Sequence, residues 1–219
     1  MPDTIYLINP NTTLAVTQGI DRACEPLRMA GGPQIECVTL AEGPAAIETE
    51  RDVDAVAAPL VRLVAELERR AAALVIACFS DPGLHAARGA TKKPVLGIME
   101  SGLLAALTLG QRFGVIAVST AMIPRHRRVI GAMGMSDRFA GVRALGMNRV
   151  ELTDESRTLH RMIEVAKQLC DEDGADTLVM GCAGMAQYRE RIERAAGVPV
   201  VEPTQAAVAM AIGRVRVGW

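Results

Sequence analysis

Two cysteines carry the chemistry that this chain offers. Cys78 closes the run Ala72-Ala73-Leu74-Val75-Ile76-Ala77, and Cys182 closes Asp176-Thr177-Leu178-Val179-Met180-Gly181. Each run is short, apolar and without helical period, which reads as a strand buried on both faces of a parallel sheet. Each thiol is followed by a turn and then a helix pattern; Asp81 and Pro82 suit the cap and first turn of the first such helix. A helix N-terminus favours a thiolate, because its dipole and open N–H groups stabilise negative charge. One such cysteine would suit a nucleophile. That role needs a base, and His85, His126 and His160 show no arrangement that supplies one. Two matched thiols suit another task, the removal of a proton from one face of a carbon and its return to the other. The backbone amides after each cysteine would stabilise the enolate-like charge that develops.

A lone cysteine inside a protein is ordinarily a small hydrophobe. What sets these two apart is an internal repeat. The thiols are 104 residues apart (182 − 78), and Lys93-Pro94-Val95-Leu96-Gly97 returns as Val198-Pro199-Val200-Val201-Glu202 at an interval of 105 (199 − 94). Upstream, Thr4-Ile5-Tyr6-Leu7-Ile8-Asn9 returns as Gly114-Val115-Ile116-Ala117-Val118-Ser119 at 110 (119 − 9). Three strand-like landmarks in register indicate two similar α/β halves of about 100 residues each. We expect residues 1–98 with a C-terminal helix at 206–219 to form one half and 99–205 the other. Ligands of open parallel sheets bind outside the strands' carboxyl ends. Halves related by a pseudo-two-fold axis would bring both thiols to one cleft.

The elements that must position the thiols can be read in order. Strands are expected at 4–8, 35–40, 95–98 and 142–145, besides the repeat units. Asn11 or Thr12 is expected to cap a helix running to about Cys24. Residues 41–49, with Gly43-Pro44, read as a loop at a strand-end cleft. Residues 52–70 read as one long amphipathic helix with Val53, Val56, Leu60, Leu63, Val64 and Leu67 on one stripe. Further helices are expected at 84–88, 99–109, from Ser119-Thr120 to Ile130, at 154–170, 188–196 and from Glu202 to about Arg214.

Composition narrows the class. The 219 residues are 50 % hydrophobic but only 3 % aromatic, so the cores must be aliphatic. A formal net charge of −1 gives no electrostatic case for nucleic acid or an anionic membrane. The cluster Arg125-His126-Arg127-Arg128 reads as a solvated helix face. No apolar run approaches the roughly 20 residues of a membrane span. Five scattered cysteines do not form a disulfide framework, which points to reduced thiols in a cytoplasm. Cys24, Cys37 and Cys170 are assigned to packing. The two distant thiols make a poor zinc set, and no glycine-rich nucleotide motif follows a strand.

The motifs Ile8-Asn9-Pro10-Asn11-Thr12, Ala77-Cys78-Phe79-Ser80-Asp81-Pro82-Gly83-Leu84 and Gly181-Cys182-Ala183-Gly184-Met185 resemble the Asp/Glu/hydantoin racemase superfamily, in its hydantoin and allantoin racemase branch. The resemblance runs over nearly the whole chain. It implies an aspartate/glutamate racemase-like fold of two α/β domains, no cofactor, self-association, and a two-thiol mechanism on Cys78 and Cys182. Ser80 departs from the glycine usual in the family, which bears on substrate size or polarity. Amino-acid racemases of the superfamily carry an acid after the first strand and Cys-Asn-Thr at the thiol. Here Asn9 and Asn11 stand instead, and an uncharged amide suits a neutral ureide ring. Asn is equally a turn residue and helix cap. Ile47, Phe79, Ser80, Ser119, Thr120, Ala183, Gly184 and Met185 complete the expected substrate surface. Glu100 joins them, although an acid there also reads as an ordinary first-turn residue. The rival readings are an amino-acid racemase, an enzyme like maleate isomerase or arylmalonate decarboxylase, and a non-catalytic metabolite binder.

Overall fold

Residues 3–147 and 151–219 are described by a computed structural model. The chain divides into two compact units. One is the segment up to Ser101 together with Pro203–Trp219, and the other is Gly102–Glu202.

The first unit runs β1 (Thr4–Asn9), α1 (Leu14–Ala23), β2 (Gln34–Thr39), α2 (Glu50–Ala55), α3 (Ala57–Leu67), β3 (Ala71–Ile76), α4 (Leu84–Ala90) and β4 (Val95–Gly97). Helix α5 (Ile98–Ala106) then carries the chain into the second unit. That unit runs β5 (Phe113–Ala117), α6 (Ile123–Ala132), β6 (Phe139–Ala144), α7 (Glu155–Asp171), β7 (Thr177–Met180), α8 (Arg189–Ala196) and β8 (Val200–Val201). Helix α9 (Pro203–Val217) returns to the first unit and packs on β1, β3 and β4.

Among the described residues the sheets are four-stranded and parallel, in the orders β2-β1-β3-β4 and β6-β5-β7-β8. The repeat is thus carried through in the fold, including a strand pair, β2 and β6, that sequence likeness did not reveal. Parallel strands need helical crossovers on their faces, which is why β1, β3, β5 and β7 are almost wholly buried and mostly apolar. In the first unit Ile8, Leu74 and Ile76 pack against Leu60, Val64 and Leu84. In the second, Ile116, Leu178 and Met180 pack against Met162, Val165 and Ile192. Each fully buried side chain of this kind contributes roughly 1.5–3 kcal/mol.

The structure corrects the reading at four places. The expected helix over 52–70 is two helices, α2 and α3, meeting at Val56. Pro59 lacks an N–H and its ring would meet the carbonyl of Ala55, so the chain breaks there and Pro59 falls in the first turn of α3. Thr49 starts α2 with a reciprocal cap, its Oγ1 accepting from Asp52 N at 3.2 Å while Thr49 N donates to Asp52 Oδ2 at 2.8 Å. Neither Asn11 nor Thr12 caps α1; the N-cap is Thr13, and Asn11 Oδ1 accepts from Thr13 N at 2.9 Å. His126 turns inward and is buried, while Arg127 and Arg128 stay on the solvated face of α6. The fourth correction, at Asp81, belongs to the site.

Candidate active site

Each thiol sits two residues beyond a central strand, Cys78 after β3 and Cys182 after β7, and each is half-buried. In the first unit β3 lies beside β1, and Ala77 N donates to Ile8 O at 2.9 Å, which sets Cys78 at the same sheet edge as Asn9 and Asn11. The loop 41–49 joins this edge, with Leu40 N donating to Asn9 O at 2.9 Å and Thr12 N to Pro44 O at 2.9 Å. Glu100 arrives there at the start of α5. In the second unit Gly181 N donates to Ile116 O at 2.8 Å, so Cys182, Ala183, Gly184 and Met185 share an edge with Ser119 and Thr120. The expected site residues therefore gather into two clusters, each at the carboxyl edge of its own sheet.

Asn9 is fully buried, and its amide is used within the turn and on α1. Nδ2 donates to Thr17 Oγ1 at 3.0 Å and Asn11 Oδ1 at 3.1 Å, and Oδ1 accepts from Asn11 N at 3.2 Å. Asn11 is half-buried. Because Thr13 N and Asn9 Nδ2 both need an acceptor, the Asn11 oxygen must face them, which fixes its Nδ2 as an outward donor. That Nδ2 has no hydrogen-bond partner among the described residues.

The Cys78 loop departs from expectation. Asp81 does not cap α4, whose N-cap is Gly83 in the left-handed region (φ 65°). Asp81 instead reaches α5, its Oδ1 accepting from Met99 N at 3.0 Å and its Oδ2 from Glu100 N at 2.8 Å. It holds a positive φ of 44° to do so. Gly97 makes room, since a Cβ there would lie 2.2 Å from Asp81 Cγ. Burial pushes the Asp81 carboxyl up to about 7, against the pull of the two N–H groups and Arg88, with the Glu100 charge pushing the same way as burial. Glu100 is itself ion-paired with Arg88. With α4 starting only at Leu84, no helix N-terminus follows Cys78 directly. Its sulfur lies 3.2 Å from Ser80 Oγ, and both Phe79 and Ser80 are buried.

Cys182 is followed at once by a 3-10 turn, Ala183–Tyr188. Burial pushes its thiol up, the Gly184 N–H pulls it down, and the buried Glu202 pushes it up again. Met185 commits its side chain to the core, and Ile47 packs on the core of the first unit. Ser119 Oγ accepts from Ala121 N at 3.2 Å, and Thr120 is exposed. Glu202 is a residue the reading passed over as a helix start. The repeat could have found it, because the interval of 105 that links Pro94 to Pro199 also links Gly97 to Glu202.

Cys24 donates its thiol to Ile20 O at 3.2 Å, and a hydrogen bond with it, followed by burial, pushes the Cys37 thiol well up. Burial raises Cys170 likewise. None of the five cysteines is disulfide-bonded among the described residues. No helix among them is long and apolar enough to cross a membrane.

The chain is similar to known proteins over nearly its whole length. The family model described as Asp/Glu/Hydantoin racemase matches residues 5–211. A hydantoin racemase of Pseudomonas sp. (strain NS671) is 35 % identical over 209 residues, covering 94 % of this chain and 84 % of the relative. A hydantoin racemase of Rhizobium meliloti is 35 % identical over 224 residues, covering 98 % and 90 %. The solved structure of allantoin racemase from Klebsiella pneumoniae superposes with a TM-score of 0.92 at 30 % identity, covering 99 % of this chain and 89 % of that one. The chain belongs to the Asp/Glu/hydantoin racemase family and is an isomerase of the racemase type.

Proposed function

We propose that this protein racemises 5-substituted hydantoins or allantoin without a cofactor, through Cys78 and Cys182 acting as a base and acid pair. The observation that carries the reading is the equivalent place of the two thiols, each two residues past the same strand of a repeated sheet. In this reading the two thiols act on opposite faces of one carbon. The thiolate takes the ring proton at C5, the electron pair moves onto the adjacent carbonyl oxygen, and the opposite thiol returns a proton to the other face. Backbone N–H groups beyond the thiols stabilise the oxygen charge. The Asn11 Nδ2 donates to a ring carbonyl, and the uncharged turn Asn9–Asn11 favours a neutral ureide over an amino-acid zwitterion. Reduced thiols of this kind suit a cytoplasmic protein.

The test uses Cys78→Ser and Cys182→Ser in deuterated buffer with each pure enantiomer. Racemisation should fall by roughly 10²–10⁴-fold in both, the usual contribution of a positioned acid or base. Each variant should still exchange the C5 proton of one enantiomer without inverting it, and the two should prefer opposite enantiomers. Loss of the C5 proton NMR signal is the readout, with exchange in the absence of enzyme subtracted. Exchange of the same enantiomer by both variants, or racemisation at the parent rate, would overturn the mechanism.

A further inference from the structure

The residue two places beyond each thiol differs between the halves. The interval of 104 that links Cys78 to Cys182 links Ser80 to Gly184. At Cys182 the contact from that position is the backbone N–H of Gly184. At Cys78 it is a side-chain hydroxyl, the Ser80 Oγ at 3.2 Å from the sulfur. A thiolate carries no proton, so in that state the hydroxyl must be the donor, and a hydrogen bond to an ionised group is among the stronger kinds. Ser80 is 2 % exposed, so water does not compete freely for its proton.

The ionisable groups near the two thiols reinforce the contrast. On the Cys78 loop, Asp81 is tied to the N–H groups of α5, and the Glu100 charge beside it is matched by Arg88. At Cys182 burial pushes the thiol up, and the charge of the buried Glu202 adds to this.

The geometry points to Ser80 as a positioning residue that makes Cys78 the resting thiolate and leaves Cys182 as the resting acid. This rests on the two-thiol reading above. The resting enzyme then takes its first proton at Cys78. Turnover of that enantiomer leaves Cys78 protonated and Cys182 ionised, and a proton must pass from Cys78 to Cys182, through solvent, before the resting state returns.

The test needs no substrate. Iodoacetamide labelling of each cysteine is followed by peptide mass spectrometry across pH 6–10, in the parent protein and in Ser80→Ala, Ser80→Gly and Ser80→Thr. In the parent, Cys78 should label faster than Cys182 below about pH 8. Ser80→Ala and Ser80→Gly should raise the apparent pKa of Cys78 by about one unit, moving its labelling curve up by about one pH unit, which is a loss of about tenfold only on the acid side of the parent's midpoint. The Cys182 profile should stay in place, and Ser80→Thr, which keeps the hydroxyl, should restore Cys78. Native thermal melts of both variants that lack the hydroxyl guard against a folding artefact. An unshifted Cys78 profile in both, or faster labelling of Cys182 in the parent, overturns the proposal. Absence of racemisation alongside the expected labelling would instead count against the functional reading and leave the ionisation bias standing.

Discussion

In the first half the residue three places beyond the thiol is Asp81 and the residue that ends β4 is Gly97. In the second half the corresponding places hold Met185 and Glu202. Each half thus buries one carboxyl beside its thiol loop, brought from opposite sides. The reason is space. Gly97 has no room for a Cβ because the Asp81 carboxyl occupies it, so of these two places only one can carry an acid. The choice has a chemical result. Asp81 is consumed by backbone N–H groups of α5, whereas Glu202 acts on the Cys182 sulfur and pushes its thiol up. A repeated scaffold can therefore give two matched thiols unlike surroundings.

The sharpest way to break this comparison is Asp81→Asn. The folded-state pKa of Asp81 is raised to about 7 from 3.8. Its favourable contribution is therefore complete below about pH 4 and is lost as pH rises through about 7, an effect of at most about 4 kcal/mol. The variant lacks this titration, so its stability deficit relative to the parent should be largest near pH 4 and shrink towards pH 8. Urea unfolding at a series of pH values checks this, and a deficit that grew with pH would contradict the assignment.

A smaller effect is expected from Gly97→Ala. The added methyl must displace the Asp81 carboxyl from the α5 N–H groups, costing about 2–3 kcal/mol. The double variant Gly97→Ala with Asp81→Ala should cost clearly less than the sum of its parts, because the clash is then gone. Additive costs in that cycle would mean that the two places do not compete.

The smallest effect concerns the turn after β1, where the first half offers a donor and the second half offers Ser119. Asn11→Asp keeps the oxygen that Thr13 N needs but replaces the outward donor with an acceptor. Hydantoin binding should weaken by about 1–2 kcal/mol, or roughly 5–30-fold in KM, with an unchanged melting temperature. An unchanged KM would leave Asn11 as a turn residue.

What could be read from the chain depended on the range of the interactions involved. The strands were legible because burial on both faces leaves an apolar run that needs no partner to be recognised. The thiols were legible because the repeat placed both at strand ends. The break at Val56 was hidden by a hydrophobic stripe that continues in phase across it, although Pro59 marked the place. Asp81 was assigned to the helix next in sequence, and its real partners lie 18 and 19 residues away, a pairing that only the loop's backbone could specify. Glu202 looked like any acid at a helix start. Asn9, read both as a ligand contact and as a turn residue, has its amide engaged with Asn11 and with Thr17 of α1, a matter of local geometry that residue type alone cannot decide.

The return of α9 to the first unit also orders events during synthesis. Domains generally fold as units while the chain is being made. The second unit is one unbroken segment, Gly102–Glu202, and all its strands exist once Val201 has left the ribosome. The first unit begins earlier but lacks the helix that packs on β1, β3 and β4 until Pro203–Val217 has been made. The half made first is therefore the half completed last, and its sheet must wait with that face open for about a hundred residues of further translation.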